Sequence, residues 1–215
     1  MFLTVNNESV QQESGSDYIN KSGIYDVTLR HCEIVTTTNG AVQSNYFFTK
    51  CMSYGNNIIG VQGQPTFGYK IIEALTTIIG EESLSDPEPT TVKFKTKSKE
   101  LNCIPELNDI QVKAWIQFSY RMYKGEIREE VSVRRFYRES DGASGSEVLS
   151  GKDIGERLGK DQDFATEIKY EDGTTAESVA AWMKAKAGGN TTTPAPTTGG
   201  FPSPGKAKSP FPGSV

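Results

Sequence analysis

Among 215 residues there is a single histidine, and the three cysteines (Cys32, Cys51, Cys103) lie far apart with no Cys-x-x-Cys pair. That spacing offers neither a zinc-ligand set nor a disulfide framework, and it fits a reducing compartment. No run of 18 apolar residues occurs, so no membrane-spanning helix is expected, and the start, Met1-Phe2-Leu3-Thr4-Val5, lacks the basic and apolar regions of a secretion signal. The expected setting is a reducing cytoplasm. Gly-rich phosphate loops, paired metal-ligand motifs and a nucleophile elbow are also missing, and His31 stands alone inside a strand-like segment beside Cys32. The chain therefore reads as a binding protein without enzymatic activity or cofactor.

The formal charge of −4 argues at first against a polyanionic ligand, but the charge is unevenly spread. Residues 91–138 carry a net +5, whereas residues 1–90 carry −6 and residues 139–187 carry −5. Any nucleic acid must then follow the one basic window.

Hydrophobic periodicity outlines the architecture. Residues 1–22 are polar and read as a flexible arm. Ile24–Val35 alternates with a period of two, Asn39-Gly40 supplies a hairpin turn, and a second strand runs from Ala41 to Cys51. A short strand at Ile58–Val61 ends at Gly63, Pro65 and Gly68. Ile71, Ile72, Leu75, Ile78 and Ile79 then fall on one face of a helix over 69–79, with Gly80 placed to stop it. Thr91–Lys97 reads as a strand whose lysines, Lys93, Lys95 and Lys97, share one side. They are candidates either for phosphate contact or for protecting a sheet edge.

Residues 111–123 and 126–138 form a long hairpin around Lys124-Gly125. One side of its first strand (Val112, Ala114, Ile116, Phe118, Tyr120, Met122) is a core face. The other side carries Lys113, Trp115, Gln117, Arg121 and Tyr123, an unusual mixture for a solvated strand. Stacking of a base on an aromatic ring is worth about 1–3 kcal/mol and tolerates any base, and neighbouring cations neutralise phosphates. The second strand extends the platform with Arg128, Arg134, Phe136 and Arg138, and Tyr46 and Phe48 are expected as an exposed pair on the second strand of the chain. The competing reading packs Trp115 and Tyr123 under the acidic segment that follows, with the arginines paired to nearby carboxylates.

Residues 139–187 are acidic and contain a helix over 175–187 with Val179, Trp182 and Met183 as its apolar side. Residues 188–215 are dominated by Gly, Pro, Ser and Thr and read as a disordered tail. The sum is a mostly β fold: a barrel of the OB type over residues 23–138, with one helix between strands, an acidic extension carrying a C-terminal helix, and a disordered tail.

Three stretches carry a family resemblance: Gly23-Ile24-Tyr25-Asp26-Val27-Thr28 with the Asn39-Gly40 hairpin, Arg134-Arg135-Phe136-Tyr137-Arg138, and Ser146-Glu147-Val148-Leu149. Over residues 23–187 the chain resembles the OB-fold single-stranded DNA-binding proteins of tailed bacteriophages. The resemblance implies binding of single-stranded DNA during phage DNA replication, recombination or transcription in the cytoplasm of a bacterial host, and no cofactor; the residues themselves leave RNA open as an alternative ligand. It departs at the end. Many such proteins finish in an acidic tail, while Lys206 and Lys208 make this one basic, so docking of replication or transcription proteins through the tail does not carry over from the family. The alternative function is a structural or adaptor protein of a phage particle that binds another protein through its β surface.

Overall fold

The computed structural model describes residues 18–94 and 97–187; the expected tail, most of the expected arm and Lys95 lie outside them. The chain is mostly β. Among the described residues eight strands join in one sheet, almost wholly antiparallel, accompanied by four α-helices.

Strand β1 (Gly23–Thr36) organises the sheet because it serves two neighbours. Its first half, Gly23 to Leu29, pairs with β6 (Ile110–Tyr123), and its second half, Leu29 to Thr36, pairs with β2 (Val42–Phe48). A register shift between Leu29 and His31 separates the halves. The extra residue bends the strand and moves the buried series from Val27 and Leu29 to Cys32. Strand β3 (Met52–Ile59) pairs with β2, and β7 (Glu126–Arg138) pairs with β6. The third strand is longer than the Ile58–Val61 segment expected, and it includes Asn56 and Asn57, which bridge to β2.

Strands β3 and β7 face one another at the two ends of this bent sheet. Ser53 donates its hydroxyl to the Val131 carbonyl across the gap at 2.7 Å. No ladder joins the two strands among the described residues, so the sheet is not a closed barrel. Helix α1 (Phe67–Ile79) packs against both of them and inserts Ile71, Leu75 and Ile78 into the interior, where they meet Tyr46, Phe48, Val133 and Phe136. Gly80, at φ 83°, ends the helix as the sequence suggested. The helix start lies so near β3 that a Cβ on Gly68 would come within 2.2 Å of the Asn57 carbonyl oxygen, which requires glycine there.

The lysine-bearing strand expected over 91–97 is a hairpin. Strand β4 (Glu88–Lys93) turns back through Phe94 and Lys97 into β5 (Ser98–Cys103), which joins β1 at Glu33. Val92, Leu101 and Cys103 form a second small core with Phe47. The acidic residues that follow β7 form α2 (Gly145–Ser150), α3 (Glu156–Gln162), a short β8 (Lys169–Glu171) parallel to β6, and α4 (Ala176–Ala187). Val179 of α4 is buried in the main core, with Trp182 packed beside it. Order also begins earlier than Gly23: Ile19 is buried, and the Ser22 hydroxyl accepts from the Phe118 backbone N–H at 2.9 Å.

Phe136 has no accessible surface and its ring centroid lies 5.4 Å from that of Tyr46. Truncation to alanine leaves a cavity in the middle of the core. Phe136→Ala is expected to lower unfolding stability by about 3–5 kcal/mol, read as a fall in the urea midpoint; a change below about 1 kcal/mol contradicts this core.

Candidate nucleic-acid interface

Strand alternation places the side chains of β6 as its sequence suggests. Val112, Ala114, Ile116, Phe118 and Tyr120 are buried, and Lys113, Trp115, Gln117, Arg121 and Tyr123 take the opposite face. Strand β7 does not keep step. Trp115 is paired with Arg135, but its successor Ile116 is paired with Val133, so Arg134 is an extra residue opposite that step. Toward the hairpin tip Arg128 shares the face of Arg121; beyond the bulge Arg135 and Tyr137 share the face of Trp115 and Lys113.

Four expected platform residues lie elsewhere, Phe136 and Arg138 because of this bulge. Phe136 is buried, opposite Ala114. Arg138 lies opposite Val112 and makes a bidentate pair with Asp141, Nε to Oδ1 at 3.0 Å and Nη2 to Oδ2 at 2.6 Å. That pair holds the Asp141 carboxyl below its ordinary range, chiefly through the hydrogen bonds from Arg138. Tyr46 and Phe48, expected on the surface, are in the core because their alternation with Phe47 points inward.

The base of the outward face is covered. Lys113 pairs with Asp26 at 2.5 Å. The acidic extension sets Asp161 over the next pair of residues. Its carboxylate accepts from the Tyr137 hydroxyl at 2.7 Å and from Arg157 Nε at 3.0 Å, and it lies 3.0 Å from Arg135 Nε. Burial, followed by this hydrogen bond, pushes the Tyr137 hydroxyl far above its ordinary pKa. Trp115, opposite Arg135, is half-buried, and its indole N–H is enclosed without an acceptor among the described residues. The packed reading of the sequence is met in part: Trp115 is half-buried and Arg121 pairs with Glu130, whereas Tyr123 is exposed.

The tip is different. Lys124 at φ 50° and Gly125 at φ 82° form a two-residue turn of the mirror-image type that suits strand twist. The turn carries Lys124 back to within 5.3 Å of the Tyr123 ring centroid, and Arg128 and Arg121 lie 4.3 and 5.7 Å from it. Tyr123 is 38% exposed. Arg121 is paired with Glu130 at 2.5 Å, while neither Lys124 nor Arg128 has an ion-pair partner among the described residues. Three cations thus attend one accessible ring, and Lys124 joins Arg121, Tyr123 and Arg128 there although the sequence drew attention only to its turn.

The bulge residue makes a second such pair. Arg134 projects its guanidinium over the ring of Phe67, 5.2 Å from the centroid, and Phe67 is 53% exposed. Phe67 lies just before the helix expected from periodicity, so its exposure had no sequence signal except the Pro65-Thr66 start of α1. The lysine row does not form as one side: Lys93 lies on the strand opposite Ser98, whereas Lys97 closes the turn with Phe94 and so takes the other face. Both are exposed. His31 Nδ1 lies 3.0 Å from Asn108 Oδ1, a structural contact. No group of three or more metal-ligating side chains occurs among the described residues. No family model, curated protein or solved structure matches the chain.

Replacing Asp161 removes the acceptor of a buried tyrosine and the counter-charge of two arginines. Asp161→Ala is expected to cost about 1.5–3 kcal/mol of stability and, in a Trp182→Phe background, to shift Trp115 emission to the red. Unchanged emission and stability contradict the seal.

Proposed function

We propose that the protein binds single-stranded DNA with little regard to sequence, using the open half of the β6–β7 hairpin on a barrel of the OB type. The order of three strands, a helix, the inserted β4–β5 hairpin and then a long hairpin supports that fold, as does the approach of β3 to β7 through Ser53 and Val131. The carrying observation is the Tyr123 ring with Arg128, Lys124 and Arg121 around it at the end of a projecting hairpin.

A base reaching the tip stacks on the free face of the Tyr123 ring, and the cations beside that ring meet the flanking phosphates. Arg128 is already held against the ring, so little side-chain freedom is lost when a phosphate arrives. Phe67 with Arg134 repeats the pairing of ring and cation on the adjoining helix start. The negative charge of the remaining chain repels the backbone elsewhere and confines the strand to this path. In a phage setting the ligand is the strand displaced during replication, recombination or transcription in the bacterial cytoplasm, and RNA competes wherever the 2′-hydroxyl is tolerated.

A second reading, an adaptor that docks on another protein, draws on one observation. The acidic extension exposes Leu149 at 78%, Phe164 at 56% and Ile154 at 43% of their surfaces, more than isolated surface residues require.

Fluorescence polarisation with labelled oligothymidylate separates the two. Binding is expected to weaken with salt with a log–log slope of about −2 for three phosphate contacts. Tyr123→Ala is expected to reduce affinity by about 5- to 150-fold without changing the melting temperature. No polarisation change at the lowest salt overturns the DNA reading and leaves the adaptor.

A further inference from the structure

Beside the Phe67 and Arg134 pair lies an open basin of about 760 Å³ between the β1–β2 turn and the loop that leads from β3 into α1. Its chemistry is unlike that of the hairpin tip. The lining carries five carboxamides, those of Asn39, Gln43, Asn57, Gln62 and Gln64, three threonine hydroxyls, and no charged side chain. A phosphate has no counter-charge there. An uncharged ligand rich in donors and acceptors finds hydrogen-bond partners there.

The floor has a fixed pattern. Gln43 on β2 and Asn57 on β3 are cross-strand partners, and their amides bond to one another, Gln43 Nε2 to Asn57 Oδ1 at 2.8 Å. One such bond leaves one amide with a free carbonyl oxygen and the other with a free NH2. If both amides are turned over, the same statement holds with the two residues exchanged. The floor therefore always presents an acceptor next to a donor. Adjacent donor and acceptor atoms are what a nucleobase edge carries, and paired amide contacts are the ordinary means of reading one.

The surroundings hold this floor in place. The Asn57 carbonyl accepts from the Thr66 hydroxyl, which ties β3 to the residue before α1. The outer wall depends on a close approach: Gln64 folds against Gly60, where a Cβ would come within 2.4 Å of its Nε2. At the rim, Thr66 is followed by Phe67, whose exposed ring carries the Arg134 guanidinium. Thr66 lines the basin and Phe67 follows it in the chain, so a strand that stacks one base on Phe67 passes next to the amide lining.

We infer that the basin bounded by Asn39, Gln43, Asn57 and Gln64 is a nucleobase-reading pocket that gives the single-strand interface a base preference at one position. This inference rests on the single-strand binding proposed above. It differs from it in one respect: the tip is indifferent to base identity, and the basin is not.

The test measures the intact protein, at one salt concentration, against homopolymers of thymidylate, cytidylate and adenylate of equal length and against an abasic strand of the same charge. The affinities of the wild-type protein for the three homopolymers are expected to spread by about fivefold or more. In the Gln43→Ala/Asn57→Ala double variant the spread collapses to within about twofold, while affinity for the abasic strand is unchanged. The abasic strand also reports folding, because it keeps the phosphate contacts of the tip cations while lacking both the base stacked on Tyr123 and any base for the basin. Equal wild-type affinities for the three homopolymers, or a spread that survives in the double variant, overturn the pocket and leave the single-strand reading standing. Failure of every strand to bind overturns that reading, and the pocket falls with it.

Discussion

A β-strand shows its two faces alternately, so a single inserted residue exchanges everything beyond it from one face to the other. In this protein that residue is Arg134. Below the bulge, β7 offers Arg135 and Tyr137 to the outer face and Phe136 to the core; above it, Arg128 stands outside beside Arg121. The hairpin is therefore divided along its length. Its base is fastened to the rest of the chain, β8 borders Ser119 to Arg121, and the turn that follows is left to solvent; both the core contact of Phe136 with Tyr46 and the Arg134 contact with Phe67 require the same insertion.

The acidic extension gains a physical role from this division. Its Asp161 meets Arg135, Arg157 and the Tyr137 hydroxyl, so part of the basic window is consumed within the molecule. Among the described residues the window's cations outside any ion pair are Lys93, Lys97, Lys124, Arg128 and Arg134; Lys124 and Arg128 lie by one accessible ring and Arg134 over another. A local net charge of +5 in the sequence thus overstates the charge available to a ligand. What remains is coupled to aromatic surface at two points, the Tyr123 ring and the Phe67 ring, an arrangement suited to gripping a flexible strand at a few points.

Much of this was legible in the residues. The period of two in β1 and β6, the helical spacing from Ile71 to Ile79 with Gly80 as its stop, and the Lys124-Gly125 turn are local signals that local geometry decides. The bulge was not legible, because Arg134-Arg135-Phe136-Tyr137 alternates plausibly in either register and only pairing with β6 chooses between them. Tyr46, Phe47 and Phe48 posed the same ambiguity. The interior took the first and third, and the β4–β5 hairpin covered the second. That hairpin was read as one strand because its turn lies within a run of alternating lysines. One missed element did leave a mark: Ser144-x-x-Glu147 is a capping box, and it starts α2. Glu147 also accepts from the Arg157 backbone N–H at 2.8 Å, fixing the short helix that carries Asp161.

The central claim is the contrast between an open tip and a sealed base on one hairpin face. Ultraviolet cross-linking of the intact protein to oligothymidylate, followed by trypsin digestion and mass spectrometry, tests it directly because Lys113, Arg121 and Lys124 bound separate peptides. The account predicts nucleotide adducts on Met122-Tyr123-Lys124. Adducts on the peptide from Ala114 to Arg121, located at Trp115, with none at Tyr123, would contradict it.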